Sequence, residues 1–370
     1  VRKTFKYRIY PGKSQTSCLT RILGECRWLY NHLLEQRKTS WELKKRSLSY
    51  FDQLLTFRKL KKDRPSLMVV HSQVLQNVSA RIDFAFKAFF RRCKKGKKPG
   101  YPRFRNKFRY DSFCYTQSGF RVIEGKSVVQ LSKIGRVKIV LHRPIEGKIK
   151  TCTVKRTATN KWFVSFSCDI DLDVKQKPLD PVIGIDVGLE SFATLSDGSK
   201  IGNPRFFKQE EKRLARAQRK LSGQKKGSPG RKWARRVVAR IYERISNKRS
   251  NFSHQASRRL VDRFGVIAVE DLSINKMMKN NFRSINKSIG DVAWSMFIDL
   301  LSCKAEWAGK KVIRVNPAYT SQTCSRCGYR QSKKLSDRVH KCSSCGLILD
   351  RDHNAAINIL ALGQQSLALA

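Results

Sequence analysis

The stretch VIGIDVGLESFATLSDG, residues 182–198, places an acid at the end of an apolar run. VIGI reads as a buried strand, and SFATLSD reads as its hairpin partner. Further along the chain, VIAVEDL at 266–272 predicts another buried strand, which ends in acids. DVAWSMFIDLLSCKAEWAGK at 291–310 predicts an amphipathic helix, and KVIRVNP at 311–317 predicts a further strand. This order of strands and helices predicts a mixed α/β sheet.

Three carboxylates stand out against this pattern, because each is flanked by apolar sequence in a strongly basic chain. They are Asp186, Glu270 and Asp352. One acid at a strand is often a satisfied hydrogen-bond acceptor, whereas three that come together would repel unless they share cations. Oxygen-only ligands suit Mg²⁺ or Mn²⁺. Two such ions can clamp the attacking and leaving oxygens of a phosphodiester displacement, which makes a nuclease the favoured chemistry.

The third carboxylate lies where DRDHNAAINIL, residues 350–360, opens a helix. A helix N-terminus favours a carboxylate through its dipole, and an acid is also a common N-cap. Asp350 is the candidate cap and Asp352 the candidate ligand, although spacing alone leaves the two assignments open. Ala355, Ala356 and Ile359 form a slim face that would let this helix approach the sheet.

Two CxxC pairs, Cys324–Cys327 and Cys342–Cys345, are separated by 14 residues, close to the spacing of a zinc ribbon. Each pair points two thiolates at one ion, and a glycine after each pair relieves the tight turn. Four thiolates leave no open position, so we expect structural Zn²⁺ rather than a disulfide. The other seven cysteines are scattered without a pattern, which indicates a reducing compartment.

The charge of the chain indicates a polyanionic partner. Its 370 residues carry 78 Lys and Arg against 28 Asp and Glu, a net charge of +50. Ten basic residues and no acid fall in 91–110, and fifteen basic residues with two acids fall in 211–250. Solvated loops and faces are the alternative, but interleaved aromatics favour phosphate contact. No apolar run is long enough for a membrane span and no signal peptide is visible, so we expect a cytoplasmic protein.

The first half of the chain predicts a different architecture. Residues 1–10 alternate as a strand, and residues from about 14 to 90 show helical periodicity. Short β segments with turn residues between them follow from about 110 to 172 and suggest a small barrel, which strand 1–10 would join. Residues 172–181 read as a linker.

Taken together, these residues resemble the TnpB proteins, transposon-encoded ancestors of the type V CRISPR effectors. The resemblance is carried by GIDVGLESFATLSDG, VEDLSINKM, DVAWSMF, YTSQTCSRCG and DRDHNAAINI in the second half. YRIYPGKSQ, LGECRWLYNHLLEQR and KPGYPRFRNK carry it in the first half. The match covers nearly the whole chain, and its motifs are specific in combination.

The resemblance implies a multidomain fold of α/β and β-barrel parts. Residues 1–12 and 95–175 would form a wedge-like β-barrel, with 13–94 inserted as a helical recognition lobe. Residues 176–319 and 348–370 would form an RNase H-like (RuvC) nuclease domain, with 320–347 inserted as a zinc ribbon.

The resemblance also implies an RNA-guided DNA endonuclease that uses Mg²⁺ at a single RuvC site to cut both strands. Asp186, Glu270 and Asp352 take the three catalytic and metal-binding positions, which decides against Asp350. The expected partners are a guide RNA from the transposon end and double-stranded target DNA, of which the protein reads a short flanking motif. We expect a prokaryotic protein that acts on the nucleoid, and we favour a monomer.

Candidate nucleic-acid contacts fall into two sets, with ordinary surface residues as the alternative for both. The region that reads the flanking motif in this family corresponds to Tyr50, Gln73, Gln76, Thr116 and Gln117, and glutamine suits adenine in the major groove. The basic 91–110 segment supplies candidate phosphate contacts at Lys94, Lys95, Lys97, Lys98, Arg103 and Arg105. The basic stretch 205–250 would lie along the guide–target heteroduplex or the guide scaffold.

Two other functions remain open at this point. A guided regulator would occupy DNA without cutting it, and the intact acidic set argues against this reading. An RNase H-fold transposase shares the acidic set, but it does not explain the barrel, the recognition helices and the ribbon. The sequence leaves undetermined the guide RNA, the flanking motif, the cleavage pattern and the order of the C-terminal tail.

Overall fold

The computed structural model describes residues 1–171, 181–279, 282–334 and 337–368. The chain divides into two compact units, Val1–Asp171 and Leu172–Ala370. The predicted linker, residues 172–181, lies outside the described residues except for its last position. Within the described ranges, every helix is too short or too polar to cross a membrane.

The first unit is built around one antiparallel sheet of seven strands, in the spatial order β2-β6-β7-β1-β5-β4-β3. The strand from the start of the chain lies in the middle of this sheet, as predicted, and pairs with β7 and β5. The strands are β1 (Arg2–Tyr10), β2 (Ser112–Tyr115), β3 (Phe120–Ile123), β4 (Val128–Leu131), β5 (Gly135–Val140), β6 (Lys148–Arg156) and β7 (Trp162–Asp169).

This sheet curls until it nearly closes. Its two edge strands, β2 and β3, are consecutive in sequence and joined by only four residues. The Phe120 ring on β3 lies 6.3 Å from the Tyr115 ring on β2 and 6.2 Å from the Phe166 ring on β7. Side chains from both edges and the middle of the sheet therefore meet in one interior, and the predicted small barrel is confirmed.

The helices of the first unit are inserted between β1 and β2. Apolar residues on α1 recur every three or four positions and share one core with the barrel interior. The helices are α1 (Lys13–Lys44), α2 (Tyr50–Leu55), α3 (Phe57–Asp63) and α4 (Ser72–Lys94), with 3-10 turns at Pro65–Val69 and, after β3, at Glu124–Lys126.

The second unit contains a five-stranded mixed sheet in the order β10-β9-β8-β11-β12. β8, β11 and β12 run parallel, whereas β9 and β10 form an antiparallel edge that continues from β8. The strands are β8 (Val182–Asp186), β9 (Ser191–Leu195), β10 (Lys200–Gly202), β11 (Val266–Glu270) and β12 (Lys311–Val315). The mixed α/β sheet expected from the sequence is confirmed.

Six helices and one hairpin complete the described part of the second unit. They are α5 (Phe206–Ser222), α6 (Pro229–Arg263), α7 (Ile274–Lys279), α8 (Arg283–Val292), α9 (Trp294–Trp307), β13 (Val339–Lys341), β14 (Ile348–Asp350) and α10 (Arg351–Ala368). The two basic helices, α5 and α6, pack on each other through a small apolar cluster centred on Leu214, Ile241 and Ile245. The turn between them spans residues 223–228.

One predicted helix is wrong in its extent. Residues 291–310 were expected to form one helix. The structure instead has two helices here, separated at Ala293, which adopts a left-handed conformation with φ 58°. Asp291 explains the break, because its carboxylate accepts hydrogen bonds from the backbone N–H groups of Phe207 and Lys208 and from the Arg249 guanidinium. Asp291 is thereby held at the start of α5, while Trp294 is buried in the core.

Candidate active site

Asp186 and Glu270 end two neighbouring parallel strands. Asp186 is the last residue of β8 and Glu270 is the last residue of β11, and the register pairs Ile185 with Val269. Extending that register by one residue places Glu270 beside Asp186. Neighbouring strands lie about 4.8 Å apart, so the two acids share one edge and one face of the sheet.

Small residues on the same face admit helix α10. A Cβ added at Gly184 would lie 2.2 Å from the Ala356 carbonyl oxygen, and one added at Gly363 would lie 2.5 Å from the Ala268 Cβ. Side chains alternate between faces along a strand, so Asp186 follows Gly184, and Glu270 follows Ala268, on the face that α10 covers. The slim helix face predicted from the sequence is confirmed, since Ala355, Ala356 and Ile359 are buried.

The first turn of α10 carries Asp352 to this strand edge. A Cβ added at Gly188, two residues after Asp186, would lie 3.8 Å from Asp352 Oδ2. The other oxygen, Oδ1, accepts hydrogen bonds from Arg351 Nε and Nη2 at 3.2 and 3.1 Å. One carboxylate oxygen is therefore held by a cation, while Oδ2 faces the loop that follows β8.

Each acid has at least one uncommitted oxygen. Glu270 Oε1 accepts a 2.5 Å hydrogen bond from Thr320 Oγ1. Among the described residues, none donates a hydrogen bond to Glu270 Oε2, to Asp352 Oδ2 or to either oxygen of Asp186. Asp186 and Asp352 are half-buried, and carboxylates of like charge held at one strand edge are an expensive arrangement unless a cation binds them.

The electrostatics of the site follow from this arrangement. Burial, then the charges of Glu270 and Asp352, raise the pKa of Asp186 to about 8, and Arg351 offsets this only in part. Burial also raises the pKa of Glu270, against the opposing hydrogen bond from Thr320. Asp186 is therefore exposed to the like charges of Glu270 and Asp352 in a partly dehydrated site.

The neighbouring acid, Asp350, has a different role. Its Oδ1 accepts hydrogen bonds from the backbone N–H groups of Asp352 and His353, both at 3.0 Å, and its Oδ2 pairs with Lys200 Nζ at 2.9 Å. Burial opposes its ionisation, but the bonds from Lys200 and His353 outweigh this and lower the pKa of Asp350. Asp350 is thus the cap of α10, as the sequence suggested.

The four paired cysteines form one cluster, with their sulfur atoms within 4.8 Å of one another. The Cys324 and Cys345 sulfurs are 3.6 Å apart, as are those of Cys327 and Cys342. Zinc–sulfur bonds of about 2.3 Å in a tetrahedron place sulfurs roughly 3.8 Å apart, so the spacing suits zinc. Backbone N–H groups of Cys345 and Ser344 lower the pKa of the Cys342 thiol to about 6, which favours the thiolate.

The cluster is built from two tight turns. Gly328 and Gly346 follow the CxxC pairs with φ of 74° and 71°, a conformation that favours glycine. The N–H of each glycine returns to the carbonyl of the first cysteine of its pair. The second turn lies between β13 and β14, so it leads directly into α10.

Four residues near the site were not singled out by the sequence. Thr320 contacts Glu270, and Arg351 contacts Asp352. Asn354 and Asn358 on α10 donate hydrogen bonds to the carbonyls of Thr323 and Thr320, in the segment that leads into Cys324. Only the asparagines gave a signal, since two amides in the otherwise apolar run NAAINIL require polar partners.

The basic residues predicted to contact nucleic acid lie at the end of α4 and in the segment that follows it. Lys94, Lys95, Lys97, Lys98, Arg103 and Arg105 are all exposed. The main chain of Arg105 is fixed on α1, because its N–H donates to Asn31 Oδ1 and its carbonyl accepts from Asn31 Nδ2. The segment is therefore anchored at one point while its cationic side chains stay in solvent.

The residues predicted to read flanking DNA are brought together only in part. Gln73 on α4 accepts hydrogen bonds at Oε1 from the N–H groups of Gln117 and Ser118, so it holds the β2–β3 turn that contains Thr116. Gln76 lies nearly one turn further along α4 and is exposed. Tyr50 begins α2, where its ring meets Phe51, and none of the described contacts joins it to Gln73.

Three segments match the sequence profiles of known families. Residues 294–359 match the family described as "Cas12f1-like, TNB domain", and residues 165–281 match "Probable transposase". Residues 1–46 match a family described as "Helix-turn-helix domain". That last segment contains β1 and the single uninterrupted helix α1.

Individual relatives cover nearly the whole chain. A Streptomyces pristinaespiralis protein named for RNA-guided DNA endonuclease activity is 36% identical, over 98% of this chain and 90% of its own. InsQ of Escherichia coli strain K12, named likewise, is 30% identical over 99% and 93%. A solved Cas12f1–sgRNA–target DNA complex is 14% identical with a TM-score of 0.62, over 97% and 98%, and so shares the fold. The chain belongs to the TnpB family.

Proposed function

We propose that this protein is an RNA-guided DNA endonuclease. Asp186, Glu270 and Asp352 form the active site at which it hydrolyses phosphodiester bonds of DNA. The observation that carries the proposal is the convergence of three acids at one strand edge. Two come from adjacent strand ends and the third from the first turn of α10. The full-length relatives named as RNA-guided DNA endonucleases support the same activity.

The donor set fits Mg²⁺ or Mn²⁺. All three groups offer hard carboxylate oxygens, and burial together with the charges of Glu270 and Asp352 raises the pKa of Asp186 to about 8, so a bound cation would be favourable here. Asp186 offers both oxygens, whereas Glu270 and Asp352 each offer one, because Thr320 and Arg351 hold the other. When bound, two such ions clamp the attacking and leaving oxygens of an in-line displacement at phosphorus.

The chain's own residues keep this site rigid. Asp350 caps α10 and pairs with Lys200 on β10, which fixes the first turn of the helix against the sheet edge. Arg351 orients Asp352, and its Nη1 donates to the Asp337 carbonyl at 2.9 Å, so the guanidinium is itself held in place. Each acid is therefore presented from regular secondary structure, which holds it in position more firmly than a loop would.

The proposal assigns a role to each part of the chain. Residues 176–319 and 348–370 are the RNase H-like (RuvC) nuclease domain, and the five-stranded mixed sheet supports this assignment. Residues 320–347 are the inserted ribbon, in which Cys324, Cys327, Cys342 and Cys345 hold structural Zn²⁺. Residues 1–12 and 95–175 are the wedge-like barrel, and 13–94 the recognition lobe.

The partners are a guide RNA from the transposon end and double-stranded target DNA. The net charge of +50 and the cationic helices α5 and α6 support a large phosphate interface. In this proposal Gln76 and Gln117 are the motif-reading side chains. Gln73, whose Oε1 is engaged with the turn, acts by holding Gln117 in place.

The test is co-purification from cells that express the protein with its flanking transposon DNA. The bound RNA is sequenced, and the complex is given Mg²⁺ and a plasmid in which a matching target lies beside a randomised flank. We expect cleavage that is lost in Asp186→Ala and kept in Asp299→Ala, an exposed acid on α9. Target binding without cleavage would indicate a guided regulator instead. Absence of a discrete bound RNA would favour the RNase H-fold transposase.

A further inference from the structure

A threonine outside the acidic set contacts one of the proposed metal ligands. Thr320 Oγ1 lies 2.5 Å from Glu270 Oε1, although 50 positions separate the two residues, and both are buried at 5% and 8% exposure. The hydroxyl has one proton and a second acceptor, the Pro317 carbonyl oxygen at 3.2 Å. The shorter distance is typical of O–H donation to a carboxylate. The Thr320 hydroxyl therefore donates its hydrogen bond to Glu270 rather than to Pro317.

This hydrogen bond determines how the carboxylate is presented. The terminal torsion of a glutamate is broad, so a free carboxylate would rotate and expose either oxygen. With Oε1 held by Thr320, the oxygen left without a donor among the described residues is Oε2. Glu270 is thereby prepared to offer one defined oxygen to a cation.

Thr320 is itself held by the helix that carries Asp352. Asn358 Nδ2 donates to the Thr320 carbonyl at 2.8 Å and to the Thr323 carbonyl at 2.7 Å. One turn earlier, the fully buried Asn354 donates to the Thr323 carbonyl and accepts from the Ser325 N–H. The turn that carries Thr320 runs directly into Cys324, so α10 and the cysteine cluster fix the same short segment.

We infer that Thr320 is a positioning residue for Glu270, and that the first cysteine turn and α10 place its hydroxyl for this task. The inference rests on the proposed function, since it takes Glu270 as a metal ligand. It adds a structural link between the ribbon and the nuclease centre. A hydrogen bond to a ligating carboxylate typically contributes about 10- to 100-fold to metal affinity or activity.

The experiment measures Mn²⁺ binding directly, by the loss of the free-ion signal in electron paramagnetic resonance, on the full-length zinc-loaded protein. Thr320→Val removes the hydroxyl in an isosteric side chain, and Thr320→Ser keeps it. Thr323→Val is the matched control, because that hydroxyl donates only to the Tyr319 carbonyl and the substitution leaves the main chain in place. The Mg²⁺ dependence of cleavage is measured for the same set.

We expect Thr320→Val to weaken Mn²⁺ binding about 10- to 100-fold, and to raise the Mg²⁺ concentration for half-maximal cleavage by a similar factor. Thr320→Ser and Thr323→Val should bind as the wild type does, with equal zinc content in all variants. If Thr320→Val loses zinc, Thr320→Ala provides the same comparison without a new methyl group.

Two results would overturn the inference, and they are distinguishable. Unchanged Mn²⁺ affinity in Thr320→Val, with affinity lost in Asp186→Ala, would reduce Thr320 to a turn residue and leave the proposed function intact. Equal Mn²⁺ binding by the wild type and Asp186→Ala would remove the metal site itself, and with it both proposals.

Discussion

Asp186→Asn should make the metal-free protein more stable at alkaline pH. In the folded protein, burial and the charges of Glu270 and Asp352 raise the pKa of Asp186 from 3.8 to about 8. The unfolded chain therefore binds fewer protons than the folded chain between these values, and stability falls as pH rises through this window. One pH unit corresponds to about 1.4 kcal/mol, so roughly 4 kcal/mol is lost between pH 5 and pH 8.

The assay is thermal unfolding of the second unit's transition at pH 5 to 9, in Mg²⁺-free buffer without chelator so that zinc is kept. The wild type should lose stability up to about pH 8 and then level off, whereas Asp186→Asn, which mimics the protonated acid, should lack this loss. Asp262→Asn is the control. The hydrogen bond from Arg258 lowers the pKa of Asp262, so this carboxylate stays ionised from pH 5 to pH 9. Asp262→Asn should therefore change stability by the same amount at every pH in this range. Parallel wild-type and Asp186→Asn curves would refute the reasoning.

Three further outcomes are expected. Gly184→Ala should lower the free energy of unfolding by about 3 kcal/mol, because the added Cβ would lie 2.2 Å from an α10 carbonyl oxygen. Urea titration measures this loss. The control is Gly202→Ala, whose Cβ would have no neighbour within 4 Å. Cys324→Ser should lose bound zinc, whereas Cys303→Ser, at an exposed cysteine outside the cluster, should retain it. Native mass spectrometry measures the zinc content. Full zinc occupancy in Cys324→Ser would contradict the assignment of this cysteine as a ligand. Lys97→Ala should reduce the salt slope of RNA binding by about one, and an unchanged slope would remove that contact.

The acids at the strand ends could be predicted because a charged side chain beside a buried apolar strand is energetically costly and therefore uncommon. The sequence marked Asp186 and Glu270 in this way, and the helix dipole and capping rules marked the two acids at the start of α10. Local pattern also gave the curled sheet and the cysteine cluster, since alternation and CxxC spacing are properties of short segments.

The remaining features depend on tertiary contacts that no local pattern encodes. The bond from Thr320 to Glu270 joins a turn to a strand 50 positions away. The break at Ala293 arises because Asp291 is held by the start of α5 and by Arg249. Gln73 was a candidate reader of the flanking motif, but its Oε1 is engaged by the β2–β3 turn, which is 44 positions away in sequence.

The cysteine turns also shorten the path by which the third acid reaches the sheet. Between the end of β12 at Val315 and the start of α10 at Arg351 lie 35 residues, and closing so long a loop costs conformational entropy. Cys324 lies only nine positions after Val315, and Cys345 only six before Arg351, so zinc would bridge most of the loop. Asp352 then arrives on a short tether, and its effective concentration at the strand edge rises without any added contact.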